Sequence, residues 1–86
     1  MKIINILIED NIKEKILDKH NVEAAEIKQV IFSNPLILKS GKNRYVAIGY
    51  HQRYLTIIFE INNSIAFIFT AYPSSDAQVK LYKNKK

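Results

Sequence analysis

Eighty-six residues, 48% hydrophobic and 24% charged, suit one small globular domain spanning residues 1–86 rather than a disordered chain. The lack of cysteine excludes disulfides and thiolate metal sites, and two histidines are too few for a typical zinc site. The net charge of +5 is uneven, about −1 over residues 1–38 and +6 over residues 39–86, and it suits a polyanionic partner such as RNA.

Residues 2–8 are almost continuously apolar and β-branched (Ile3, Ile4, Ile6, Leu7, Ile8), which predicts a first strand. Asn11 and Glu14 stand at capping-box spacing, and Ile12, Ile16 and Leu17 then give a helical stripe that ends at His20-Asn21. A second helix is expected over about 23–32, with Ile27, Val30 and Ile31 inward. It stops before Pro35, because the residue preceding proline is driven out of the helical region. With a short link, the two helices are expected to form an antiparallel hairpin.

The remainder reads mainly as sheet. Residues 36–39 form a short strand, and 40–43 a turn. Over 44–50, Val46 and Ile48 face one side and Tyr45 and Ala47 the other. A tight connection at His51-Gln52 leads to a strand over 53–61. There Leu55, Ile57, Phe59 and Ile61 oppose Tyr54, Thr56, Ile58 and Glu60. Asn62-Asn63 is expected to turn the chain into a last strand over 64–71, with Ile65, Phe67 and Phe69 on one side. After Pro73, Ser75 can cap a terminal helix whose inward residues are Ala77, Leu81 and Tyr82. The order β-α-α-β-β-β-β-α predicts an α+β fold: an N-terminal strand and helical hairpin on an antiparallel sheet, closed by a short helix. No apolar run reaches the ~18 residues that cross a bilayer, and no signal-like segment opens the chain, so a cytoplasmic protein without membrane contact is expected.

Several short motifs occur in a telling order. Lys19-His20-Asn21-Val22, Glu26, Val30-Ile31-Phe32 and Asn34-Pro35 resemble the K-H-x-V…E…V-F-F…P segment of BrnT-like toxins, members of the RelE/ParE-like superfamily of type II toxin–antitoxin proteins. Arg44-Tyr45-Val46-Ala47-Ile48-Gly49 is similar to their R/D-Y-x-x-x-G strand, and Arg53-Tyr54-Leu55 to their G-R-Y-L. Thr70-Ala71 stands in place of S-A, and Leu81-Tyr82 matches a closing L-Y. The resemblance runs over residues 9–83. The chain departs from it at Tyr72, where S-A-R has arginine, at Phe67, where a basic residue is usual, at Gln78, where E-R-x-x-Y has glutamate, and at Glu23, where a Ser/Thr cap is usual.

The resemblance implies a RelE-like fold and a toxin that cleaves messenger RNA without a metal or other cofactor. It also implies a cognate antitoxin, encoded by a neighbouring gene, as protein partner. In such cleavage the 2′-hydroxyl attacks the adjacent phosphate and the 5′-oxygen leaves. The site needs a proton acceptor, a proton donor and cations aimed at the phosphorane.

Arg53 is the expected phosphate clamp, because a guanidinium holds two oxygens at once. Tyr72, Glu60 and His20 are the candidate acid–base groups. His20 lies between two helices, where imidazole equally serves to bond loose carbonyls. Arg44, Tyr54, Lys80 and Lys83 are candidates for RNA binding, with tyrosines stacking bases between phosphate contacts. The same tyrosine–arginine mixture suits a protein interface. The departures therefore leave a second reading open, a non-catalytic relative that acts as an RNA- or protein-binding module. No phosphate loop or nucleophile motif favours a small-metabolite enzyme.

Overall fold

Strand β4 (Tyr54–Asn62) organises the molecule, because successive side chains point to opposite faces, Leu55, Ile57 and Phe59 to one and Tyr54, Thr56 and Glu60 to the other. The computed structural model describes residues 2–86. The other elements are β1 (Asn5–Leu7), α1 (Asp10–His20), α2 (Ala24–Ile31), β2 (Leu36–Lys39), β3 (Arg44–Tyr50), β5 (Ile65–Pro73) and α3 (Asp76–Lys85). They build a five-stranded sheet in the order β1-β5-β4-β3-β2. The α+β architecture with three helices is as the sequence predicts. The sheet, however, is mixed: β1 runs parallel to β5, pairing Asn5 with Ile65 and Leu7 with Phe67.

One face carries Ala47, Leu55, Ile57, Phe59, Ala66, Ile68 and Ala71, all buried against Ile16 of α1, Val22 of the link, and Ile27, Val30 and Ile31 of α2. Burial of this apolar surface is what holds the fold together. Helix α1 rests on β5, and α2 on β3 and β4, with few contacts between the helices themselves. They spread over the sheet and do not pair as the expected hairpin. Leu17, expected inward, is 45% exposed.

Gly49 explains how α2 comes so near. A Cβ there would lie 2.8 Å from Val30 Cγ1 and 2.9 Å from Pro35 Cβ, so the helix packs directly on the strand backbone.

The other face is covered in part by α3. Ser75 caps this helix as expected: its Oγ accepts from Gln78 N–H at 3.2 Å, while Gln78 Oε1 accepts from Ser75 N–H at 2.9 Å. Ala77 is exposed, and Gln78 and Val79 face the sheet with Leu81 and Tyr82, all half-buried.

Four local features differ from expectation. The first strand shrinks to three residues, which pair only with Ile65–Phe67 at the start of β5, and only Ile6 of them is buried. Helix α1 starts at Asp10 with Glu9 as its capping residue and no side-chain cap bond, so Asn11 and Glu14 do not form a capping box. The β4–β5 turn is Asn63-Ser64, both at positive φ (52° and 65°), the two-residue turn that matches strand twist. Finally, β5 carries a bulge: Phe69 is the extra residue, since Ile58 pairs with Thr70 and Phe59 with Ile68. The bulge resets the alternation, placing Ala71 in the core and Tyr72 opposite Thr56 on the outer face.

Candidate functional site

Arg53 does not begin a strand. Tyr50 pairs with Tyr54, so His51, Gln52 and Arg53 form a three-residue loop. From there the guanidinium turns to the α2 side. Its Nε donates to Glu26 Oε2 at 2.9 Å, and its Nη2 donates to Glu26 Oε1 at 2.9 Å and to the Asn21 carbonyl at 2.6 Å. The paired guanidinium, through its hydrogen bonds, holds the Glu26 carboxyl below the usual carboxylate range, and the carboxylate in turn raises Arg53. Asn21 stands at φ 53°, which turns its carbonyl region between the two helices toward this contact. The arginine expected to clamp phosphate is thus engaged in tying a hairpin loop to two helix ends.

Arg44 lies at the opposite end of β3, about 20 Å from the Arg53 loop along the strand. Its guanidinium stacks over the Phe69 ring, which faces the same outer side of the sheet, at 4.5 Å from the centroid. The two arginines therefore do not share one clamp. Glu60 pairs across the sheet with Arg44 and lines, with Ser40, Gly41, Lys42 and Asn43, a shallow cleft of about 300 Å³ at the β2–β3 turn. It stands four residues from Thr56, roughly 13 Å from the position opposite Tyr72.

His20 and Tyr72, by contrast, are brought together. The last turn of α1 sets the imidazole against the phenol ring, with centroids 5.8 Å apart and planes inclined at 50°. Beside them a cleft of about 260 Å³ runs between α1 and β5, lined by Ile12, Lys15, Lys19, His20, Phe69 and Thr70. Lys15 and Lys19 stand four residues apart on one helix face, so both line the same cleft. The only ion pair among the described residues is that of Arg53 with Glu26, so neither lysine is neutralised by a carboxylate. A cleft lined by two lysines, an imidazole, the Thr70 hydroxyl and the Phe69 ring, with the Tyr72 phenol against His20 at its side, can hold an anionic phosphate and move protons beside it.

Tyr72 is further tied to α3, where Gln78 Nε2 donates to its hydroxyl at 3.1 Å. Tyr54 sits between two other rings, 4.8 Å from Tyr50 and 5.5 Å from Tyr82, with Tyr50 half exposed. Lys80 and Lys83 are exposed along α3. Nothing in the sequence alone marks Lys15 and Lys19 as site residues. The signal available was their i, i+4 spacing ending at His20, which matters only once the cleft is known. Gln78 was legible only as a departure from a motif.

No family model matches the sequence, and no curated protein matches it. Among the solved structures that match is the Brucella abortus ribonuclease toxin BrnT, at TM-score 0.69 and 14% sequence identity, covering 84% of this chain and 97% of that one. The chain therefore has the fold of the BrnT ribonuclease toxin, as the motif order predicts.

Proposed function

We propose that this protein is a BrnT-like toxin of the RelE/ParE-like type II superfamily, a metal-independent endoribonuclease acting on messenger RNA and restrained by a cognate antitoxin. The observation that carries the reading is the meeting of His20 with Tyr72 beside a cleft roofed by Lys15 and Lys19. The fold shared with a ribonuclease toxin supports it.

In this reading Lys15 and Lys19 hold the phosphate flanking the cut and offset charge on the phosphorane. The His20 imidazole accepts the proton of the 2′-hydroxyl. The new 2′-O–P bond forms as the P–5′-O bond breaks, and the Tyr72 hydroxyl gives its proton to the departing 5′-oxygen. The products are a 2′,3′-cyclic phosphate and a 5′-hydroxyl, and the balance requires no metal or redox partner. Arg44, stacked on Phe69, extends the cationic track along the sheet, while Tyr54, Lys80 and Lys83 lie beyond the reacting groups and contribute at most to RNA affinity. Arg53 and Glu60 hold no step in this scheme.

A second reading is favoured by one observation. The strongest cation the resemblance supplies, Arg53, is already bound to Glu26. A relative lacking that cation and carrying Tyr72 for arginine would keep the cleft as a binding site for RNA or a partner protein without cutting.

Inducing the protein alone in a bacterium and mapping transcript ends separates the two. Growth arrest with new 5′-hydroxyl ends supports the nuclease. Normal growth with intact transcripts leaves the binding reading in its place.

A further inference from the structure

The orientation of the Gln78 amide follows from its neighbours. Its Oε1 lies 2.9 Å from the Ser75 backbone N–H, a group that can only donate, so that atom must be the oxygen. The same oxygen lies 3.0 Å from Thr56 Oγ1, and Thr56 is fully buried. Thr56 has one proton, given to Gln78, so the 2.7 Å contact with Ser74 Oγ is donated by Ser74. With Oε1 fixed by two donors, Nε2 is left facing the Tyr72 hydroxyl as donor at 3.1 Å. Tyr72 therefore accepts from Gln78, and its own proton is given to no acceptor among the described residues.

We propose that Gln78 is a positioning residue that makes Tyr72 a proton donor, by holding the phenol oxygen as an acceptor and leaving its proton for the leaving group. This rests on the ribonuclease reading above. When Tyr72 releases its proton to the 5′-oxygen, charge develops on the phenol oxygen, and an N–H already aimed at that atom stabilises it without reorganisation. Buried Thr56, bonded in turn to half-buried Ser74, supplies the rigidity, since it pins the amide from the sheet side while the α3 cap pins it from the helix side.

The informative substitution is Gln78→Glu, which is nearly isosteric. Either carboxylate oxygen still accepts from Ser75 N–H and Thr56 Oγ1, so the cap survives, but the group facing Tyr72 becomes an acceptor that captures the phenol proton. On ordinary RNA, Gln78→Glu and Tyr72→Phe are each expected to lose about 10²-fold in kcat, the size of a general-acid contribution, with KM within about twofold of wild type. On RNA whose scissile 5′-oxygen is replaced by sulfur, a thiolate leaves without protonation, and both variants are expected to approach the wild-type rate. Undiminished cleavage by Gln78→Glu, or a deficit of equal size on the sulfur substrate, overturns the role.

The contact itself is read without substrate by NMR, as exchange of the Gln78 side-chain amide protons. Faster exchange in Tyr72→Phe supports the assigned bond, and identical exchange overturns it. A wild-type protein that cleaves neither substrate sinks the ribonuclease reading alone, and the exchange experiment still decides the Gln78–Tyr72 contact.

Discussion

Arg53 and Glu26, twenty-seven residues apart, form a two-bond ion pair that fastens the β3–β4 loop to the first turn of α2. The same guanidinium reaches the Asn21 carbonyl and Glu26 Oε1 also accepts from Glu23 N–H at 3.3 Å, so one arginine closes the junction of three chain segments.

Arg53→Ala should therefore act on stability. Charged hydrogen bonds contribute about 1.5–3 kcal/mol, and solvent screening of a side chain 37% exposed reduces this to about 1–2 kcal/mol. Thermal melts should show Tm lower by roughly 5–10 °C. Cleavage well below the melting range should stay within a few-fold of wild type. A loss of about 10²-fold at unchanged Tm would return Arg53 to the reaction.

The pair also sets an acid limit. The Glu26 carboxyl is held down in the folded protein, chiefly by its Arg53 hydrogen bonds. A depressed carboxyl contributes stability above its unfolded value, about 4.3, and that contribution disappears as pH falls through the lower folded value. Between about pH 5 and pH 3 the wild type should lose stability more steeply than Glu26→Gln, in which nothing titrates at this position. Parallel urea titrations over that range that fall together would contradict the coupling.

Gly49→Ala should cost about 1–3 kcal/mol, because the new methyl meets buried Val30 and half-buried Pro35 inside van der Waals distance. Urea unfolding should show a lower midpoint with an unchanged slope. Combining it with Val30→Ala should cost at least about 0.5 kcal/mol less than the sum of the single changes, since one clash is relieved. Strict additivity would mean that α2 does not pack on the strand backbone.

Much of this arrangement was legible in the residues. The two faces of β4 followed from alternation alone, because a strand's period is two and its inward residues are all large and apolar. Val30 and Ile31 announced the buried side of α2 for the same kind of reason. The bulge at Phe69 was not legible, since inserting one residue leaves composition unchanged while reversing every later side chain. That reversal is what puts Tyr72 on the outer face, within reach of both His20 and Gln78. Arg53 misled because a guanidinium before an apolar run reads equally as a strand start or a loop anchor, and only Glu26, distant in sequence, decides between them. The same blindness to distant partners hid the fact that two departures from the family motif, Tyr72 and Gln78, touch each other. Two changes that look like separate losses of charge in the sequence are one neutral hydrogen bond in space.

The most direct measurement is in vitro. Purified protein is incubated with a single-stranded RNA in excess chelator, and product ends are identified by mass. Fragments ending in 2′,3′-cyclic phosphate and starting with 5′-hydroxyl, with cleavage reduced by about 10²-fold in His20→Gln and in Tyr72→Phe, are the predicted result. Intact RNA with the wild type, or variants that cut as fast as it does, would contradict the assignment of the α1–β5 cleft as a ribonuclease site.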